Sequence, residues 1–138
     1  MNIEKAHRKD RPKIKALIAS YPKILLQTHL PRTKAFFVAR EIEEGEIVGC
    51  CALVVYSKRI AEIRSLAVLG QFAKNGVGHA LVDACIQEAR RRGIYEVLTI
   101  TGANKVGFFA QHGLISSTPE QKVALISVLG EKTASIVP

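Results

Sequence analysis

One stretch constrains the fold more than any other: Ala61 to Arg92, AEIRSLAVLGQFAKNGVGHALVDACIQEARRR. Glu62 to Val68 predict a buried strand, because Ile63, Leu66 and Val68 are strong sheet formers. Lys74, Asn75, Gly76, Val77 and Gly78 form a glycine-bearing loop. Val77, Leu81, Ala84, Cys85 and Ala89 then recur at helical spacing, which predicts a long amphipathic helix. A strand feeding a loop at a helix N-terminus presents amide donors that have no intrahelical acceptor, at the positive end of the helix dipole. That arrangement suits an anion such as a pyrophosphate.

Two standard phosphate loops fail on spacing. A P-loop needs four residues between its glycines and then Lys-Ser/Thr. Gly70 and Gly76 have five between them, and Val77-Gly78 follow. A dinucleotide fingerprint needs a glycine where this chain has Leu81. The stretch instead resembles the acetyl-coenzyme A motif of the GNAT N-acetyltransferase superfamily: a Leu-Ala-Val strand, then (Gln/Arg)-x-x-Gly-x-(Gly/Ala), then a helix. The matching residues are Leu66-Ala67-Val68 and Gly76-Val77-Gly78, and the motif's Gln/Arg falls on Ala73, beside the charge of Lys74. The resemblance covers most of the chain. The branch it looks most like is the amino-acid acetyltransferases related to N-acetylglutamate synthase, on AEIRSLAV at Ala61 to Val68 and on Phe108-Phe109 ahead of Gly113-Leu114.

The resemblance implies a GNAT-like (acyl-CoA N-acyltransferase) fold, with strands four and five splayed apart at one end and the pantetheine arm in the gap. It implies acetyl-coenzyme A as cosubstrate, no metal, and cofactor contacts at Leu66, Ala67, Val68, Ala73, Lys74, Asn75, Gly76, Val77, Gly78, His79 and Phe108. Backbone groups around Val68 would serve the pantetheine amides and the carbonyl oxygen.

Acetyl transfer from a thioester to an amine needs a base, because an ammonium has no lone pair. The resemblance assigns that role to Glu62, where the histone acetyltransferase branch places a glutamate base; the plainer reading is a sheet-face carboxylate paired with a neighbouring cation. Arg64 lies two residues on and shares Glu62's face on a regular strand. Together they could read an amino acid, Arg64 holding its carboxylate in a bidentate pair, or simply pair with other charges of the sheet. The tyrosine that protonates the departing thiolate in many relatives is replaced by Phe109, which cannot donate a proton. A thiol of pKa about 8.5 leaves readily and water can protonate it. Tyr56 and Tyr95 are stand-ins, although each fits an ordinary strand-end tyrosine. Thr99 and Thr101 share a face of strand five, toward the pantetheine. Lys122, after Thr118-Pro119-Glu120-Gln121, resembles a proline-to-lysine spacing of the amino-acid branch, so the acceptor set is Arg64, Thr101 and Lys122. The arginine and serine that hold glutamate in that branch have no match here. His112 is expected to act as a helix C-terminal dipole partner.

Taken in order, Asn2 to Ala6 predict a first strand, and Asp10 is expected to cap a helix that carries Pro12 in its first turn and runs to about Ser20. The resemblance implies a second helix here that covers the acceptor side; Lys23 to Leu30 allow at most two helical turns before Pro31, so this cover is shortened and leaves that side open or completed by a second copy in a homodimer. Strands follow at Ala35 to Glu41 and Ile47 to Tyr56, joined by a turn at Glu43-Glu44-Gly45-Glu46. Gly93 ends the long helix, Tyr95 to Thr101 form strand five, Asn104 caps a short helix that Gly113 ends, and Lys122 to Val128 form the last strand. Strands and helices mix around one mostly antiparallel sheet with helices on both faces, an α+β domain.

The 138 residues suit a single domain, 1–138. The N-terminus lacks the apolar core of a signal peptide and the longest apolar run, Ile47 to Tyr56, is too short to span a membrane, which points to the cytoplasm. Three cysteines, Cys50, Cys51 and Cys85, have neither disulfide-framework nor zinc spacing and read as buried thiols. The net charge of +8 could attract nucleic acid, but few aromatics and no nucleic-acid motif accompany it, and a polyanionic cofactor uses the same charge. The reading is therefore an N-acetyltransferase for a small amine, an amino acid among the candidates. The competing reading is a catalytically weak acyl-coenzyme A sensor or assembly domain, favoured by Ala73, Phe109 and the shortened cover.

Overall fold

The computed structural model describes residues 1–20, 29–42, 45–116 and 122–128. The strands are β1 (Asn2–Lys5), β2 (Phe36–Arg40), β3 (Ile47–Val55), β4 (Ile60–Val68), β5 (Glu96–Gly102), β6 (Ile115–Ser116) and β7 (Lys122–Val128); the helices are α1 (Arg11–Ala19), α2 (Val77–Arg91) and α3 (Val106–Ala110). The sheet runs β1-β2-β3-β4-β5-β7-β6, with every pairing antiparallel except β4 with β5. The two-residue β6, edging the sheet beyond β7, was not anticipated. Its length is too short to leave a period in the sequence. The expected cover at Lys23 to Leu30 falls mostly outside the described residues, as do Glu43, Glu44, Thr118 to Gln121 and the tail.

Two apolar clusters lie on opposite faces of the sheet. Ile14, Leu17 and Ile18 of α1 pack with Phe36, Val38, Cys50 and Ala67. Leu81, Val82, Cys85 and Ala89 of α2 pack with Val48, Cys51, Leu53, Ala61, Ile63 and Val97. β3 is buried over most of its length, which is why its sequence is an unbroken apolar run rather than an alternation. Burial pushes the Cys50 thiol up to about 12, so this cysteine is a packing residue with no thiolate at neutral pH.

Asp10 does not cap α1 as expected. Its carboxylate accepts the His7 amide at 2.7 Å and pairs with Arg40, which also pairs with Glu4, so it ties the turn before α1 to β2. Burial alone would raise the Asp10 pKa, but the His7 amide and the Arg40 guanidinium reverse this and hold it below its ordinary value. Asn104 likewise lies in a 3-10 turn, Ala103–Lys105, and Lys105 is the residue that precedes α3.

α2 ends as its glycine predicts. Gly93 has φ +70, its amide bonds Arg90 C=O at 3.0 Å, and Ile94 N–H bonds Ala89 C=O at 3.0 Å. The start of α2 depends on a glycine the sequence did not single out. A Cβ on Gly49 of β3 would stand 3.0 Å from Leu81 Cδ1, 3.2 Å from Val77 Cγ1 and 3.3 Å from the Ala67 carbonyl. Gly49→Ala should therefore lift the first turns of α2 off the sheet and destabilise the fold by about 1–3 kcal/mol, read as a lower urea midpoint.

Candidate functional site

β4 departs from a regular strand. Its partners on β3 run Ala67 opposite Cys50 and Arg64 opposite Ala52, so Ser65 and Leu66 together face Cys51. This is a bulge, and Ser65 takes φ +60, a left-handed conformation that costs a side-chain-bearing residue about 1–2 kcal/mol. The bulge switches faces. Before it Ala61 and Ile63 pack toward α2; after it Leu66 and Val68 do so, while Ala67 packs toward α1.

β5 pairs with β4 only from Ile60–Glu62 against Glu96–Leu98. Beyond Glu62 the two strands part, as the resemblance implied. The gap therefore opens beside the bulge, where β4 no longer pairs with β5. Thr99 does not face this gap as a free ligand. It is buried, and its hydroxyl donates to Ile63 C=O at 2.9 Å, bracing the point of divergence. Thr101 stays partly exposed on β5, opposite Val123, and Lys122 lies opposite Gly102 at the start of β7.

β4 leads through a 3-10 turn, Gly70–Phe72, to the N-terminus of α2. Leu69 N–H bonds Val48 C=O at 2.8 Å, which fixes where the turn leaves the sheet. Gly76 has φ +79 and nothing within 4 Å of where a Cβ would be, so it requires glycine for its conformation and borders open space. The first α2 hydrogen bond to Gly76 C=O comes from Ala80, so the amides of Val77, Gly78 and His79 belong to the first turn, where the helix offers them no acceptor. Ala73, Lys74 and Asn75 are exposed around them, whereas Val77 and Gly78 are buried. Open space, a left-handed glycine and a turn of outward amides together fit a diphosphate.

Phe108 closes one side of this turn. Its ring would lie 3.3 Å from a Cβ on Gly78, and it stacks on His79 with ring centroids 4.3 Å apart. His79 Nδ1 and His112 Nε2 share a hydrogen bond of 2.8 Å, so His112 belongs to this cluster rather than serving as a helix-end dipole partner. Sequence alone could not pair a histidine in the first turn of α2 with one in the turn after α3. Burial and then the neighbouring His79 hold His112 below its ordinary value, against the opposing pull of Asp83. A histidine kept neutral in the fold contributes stability that is present above its unfolded value of about 6.5 and is lost as pH falls through the folded value. Wild type should accordingly lose more stability than His112→Gln between about pH 7.5 and pH 5.5 in urea unfolding.

The acceptor side carries a second cluster. Glu62 and Arg64 are both partly exposed on the same face of β4, ahead of the bulge. Tyr56, just after β3, donates its hydroxyl to Glu62 Oε1 at 2.5 Å. Arg64 Nη2 donates to His29 C=O at 3.3 Å. Among the described residues no ion pair joins Glu62 to Arg64 or to any other cation. Phe109, at the position of the missing tyrosine acid, is buried in the α2-side core and makes an edge-on contact with Phe108. Among the described residues no group of three or more histidine, cysteine or acidic side chains could hold a metal ion, and no helix is long and apolar enough to cross a membrane.

Comparison with known proteins agrees with this geometry. The profile of the acetyltransferase (GNAT) family matches residues 3–114. An amino-acid acetyltransferase from Mycobacterium tuberculosis is 37% identical over 125 residues, which span 85% of this chain and 71% of that protein. A Mycobacterium tuberculosis protein solved in complex with CoA superposes with a TM-score of 0.84 at 28% identity, over 94% of this chain and 100% of that chain. N-acetylglutamate synthase from Neisseria gonorrhoeae, complexed with coenzyme A and L-arginine, gives a TM-score of 0.78 at 28% identity over 94% of this chain but only 33% of that one.

Proposed function

The chain belongs to the acetyltransferase (GNAT) family and is an acetyl-coenzyme A-dependent N-acetyltransferase; from that premise we propose that its acceptor is an amino acid, acetylated on its α-amine. The observation that carries this reading is the pair of opposite charges on one partly exposed face of β4, not joined to each other by an ion pair, at the point where β4 and β5 part. A zwitterionic acceptor supplies the complement of both. The amino-acid acetyltransferase relative supports the reading, and so does the N-acetylglutamate synthase structure complexed with coenzyme A and N-acetyl-glutamate.

In this reading the amides of Val77, Gly78 and His79 receive the cofactor's diphosphate, with Lys74 adding charge and Phe108 walling the turn. The pantetheine arm lies in the β4–β5 gap, along Leu66, Ala67 and Val68. Arg64 holds the acceptor's carboxylate and Glu62 takes a proton from its ammonium. The freed nitrogen lone pair attacks the thioester carbon. Backbone amides at the β4 bulge would hold the resulting oxyanion; the nitrogen, positively charged after attack, gives its second proton to solvent water, the C–S bond breaks as the carbonyl re-forms, and water protonates the departing thiolate, since Phe109 has no proton to give. Thr101 and Lys122 border the acceptor side.

The test is a screen of initial rates, read as thiol release, with amino acids, their α-amides and the corresponding decarboxylated amines. Amino acids should turn over at least about tenfold faster than the amides, the discrimination expected of one charge-assisted bidentate contact. Equal rates for all three classes would remove Arg64 from acceptor recognition.

A further inference from the structure

The charges that Glu62 and Arg64 present are useful to a zwitterion only while they do not neutralise each other. Two residues apart on a strand, their Cα atoms are about 6.5 Å apart on one face, well within the reach of an arginine side chain. Nothing in the strand itself keeps the guanidinium off the carboxylate. The side chain that meets the carboxylate is Tyr56, with Arg64 close to the same phenol. Tyr56 enters from the turn joining β3 to β4, anchored by its own amide on Ile60 C=O at 3.1 Å. Its hydroxyl donates to Glu62 Oε1 at 2.5 Å, while Arg64 lies beside the phenol and donates through Nη2 to His29 C=O at 3.3 Å.

We propose that Tyr56 is a positioning residue that holds Glu62 apart from Arg64, so that the site keeps one anionic and one cationic receptor for its acceptor. This rests on the reading of those two side chains as acceptor-facing. The phenol is suited to the task because it satisfies the carboxylate with a single neutral donor. The other carboxylate oxygen stays available to an ammonium, and the negative charge is not cancelled as a guanidinium would cancel it. The electrostatics agree with this placement. The hydrogen bond to Glu62, then burial and the carboxylate's charge, raise the Tyr56 pKa above its ordinary value, while Arg64 close by pulls it down. One phenol therefore feels both charges at once. The residue as a whole is 57% exposed, so its phenol is open to an incoming acceptor.

The test is a double-mutant cycle with Tyr56→Phe and Glu62→Gln. Tyr56→Phe should lower kcat about three- to tenfold and raise the acceptor KM, with acetyl-coenzyme A affinity within about twofold of wild type. Tyr56 acts through Glu62, so the double variant should be no slower than Glu62→Gln alone. Additive losses would overturn the proposal while leaving Glu62 as base. Unchanged turnover in Glu62→Gln would overturn the underlying reading, and the proposal with it. A second readout does not depend on activity. The wild-type minus Tyr56→Phe difference in tyrosinate absorbance reports the Tyr56 phenol, and on a Glu62→Gln background its titration should move to lower pH. No movement would mean that the contact does not form in solution, which overturns the proposal whatever the rates.

Discussion

Gly76→Glu abolishes acetyl-coenzyme A binding in a protein that still folds: that is the expected result of changing one exposed residue. Gly76 precedes α2 with φ +79, where any other residue is strained by about 1–2 kcal/mol. That strain alone is tolerable, and a Cβ there meets no atom of the chain within 4 Å. The effect comes from what fills the open space. A carboxylate at the first turn of α2 takes the amides that would otherwise receive the diphosphate, and it repels the anion from the same place. The loss should be at least about a hundredfold in affinity, or about 3 kcal/mol. Calorimetric titration measures it, with the urea midpoint as the check on folding. Gly76→Ala carries the backbone strain without the charge and should weaken binding much less. If Gly76→Glu binds as wild type does, the diphosphate lies elsewhere.

Glu62→Gln has the second large effect, on turnover rather than binding. The amide keeps the size of the side chain and can still accept the Tyr56 hydroxyl, but it cannot take a proton from an ammonium. Loss of a general base typically costs about 10²–10⁴ in rate, and more than about tenfold is the least expected here, with acetyl-coenzyme A affinity unchanged. Turnover equal to wild type would take Glu62 out of the mechanism and leave it as a sheet-face carboxylate.

The central strand, loop and helix were legible because each follows a local rule: sheet formers in β4, a glycine where φ must be positive, and a helical apolar period in α2. β3 was legible for the opposite reason, an absence of period, since a strand covered on both faces needs no polar side. The bulge in β4 was hidden because Ser65 and Ala67 are both small and buried, so burial keeps alternating while the strand changes faces. Asp10 looked like a helix cap because it stands one residue before α1. Its carboxylate turned instead to Arg40, thirty residues on in the chain, where a buried charge pair outweighs one capping bond. The same limit applies at the candidate site. Glu62 and Arg64 could be placed on one face from their spacing, but Tyr56 against Glu62 and His79 against His112 are contacts between elements. So is the fit of Gly49 under Leu81. No local pattern encodes which helix or turn will meet which, and these contacts became visible only once the sheet order was known.

The central claim is that acetyl groups pass from acetyl-coenzyme A to an amino-acid amine. The most direct measurement is mass spectrometry of a completed reaction with the fastest amino acid, set against the thiol released in the same tube. The account predicts one N-acetylated amino acid for each thiol, and none in Glu62→Gln beyond its residual rate. Thiol release matched by free acetate, with the amino acid unchanged, would contradict it.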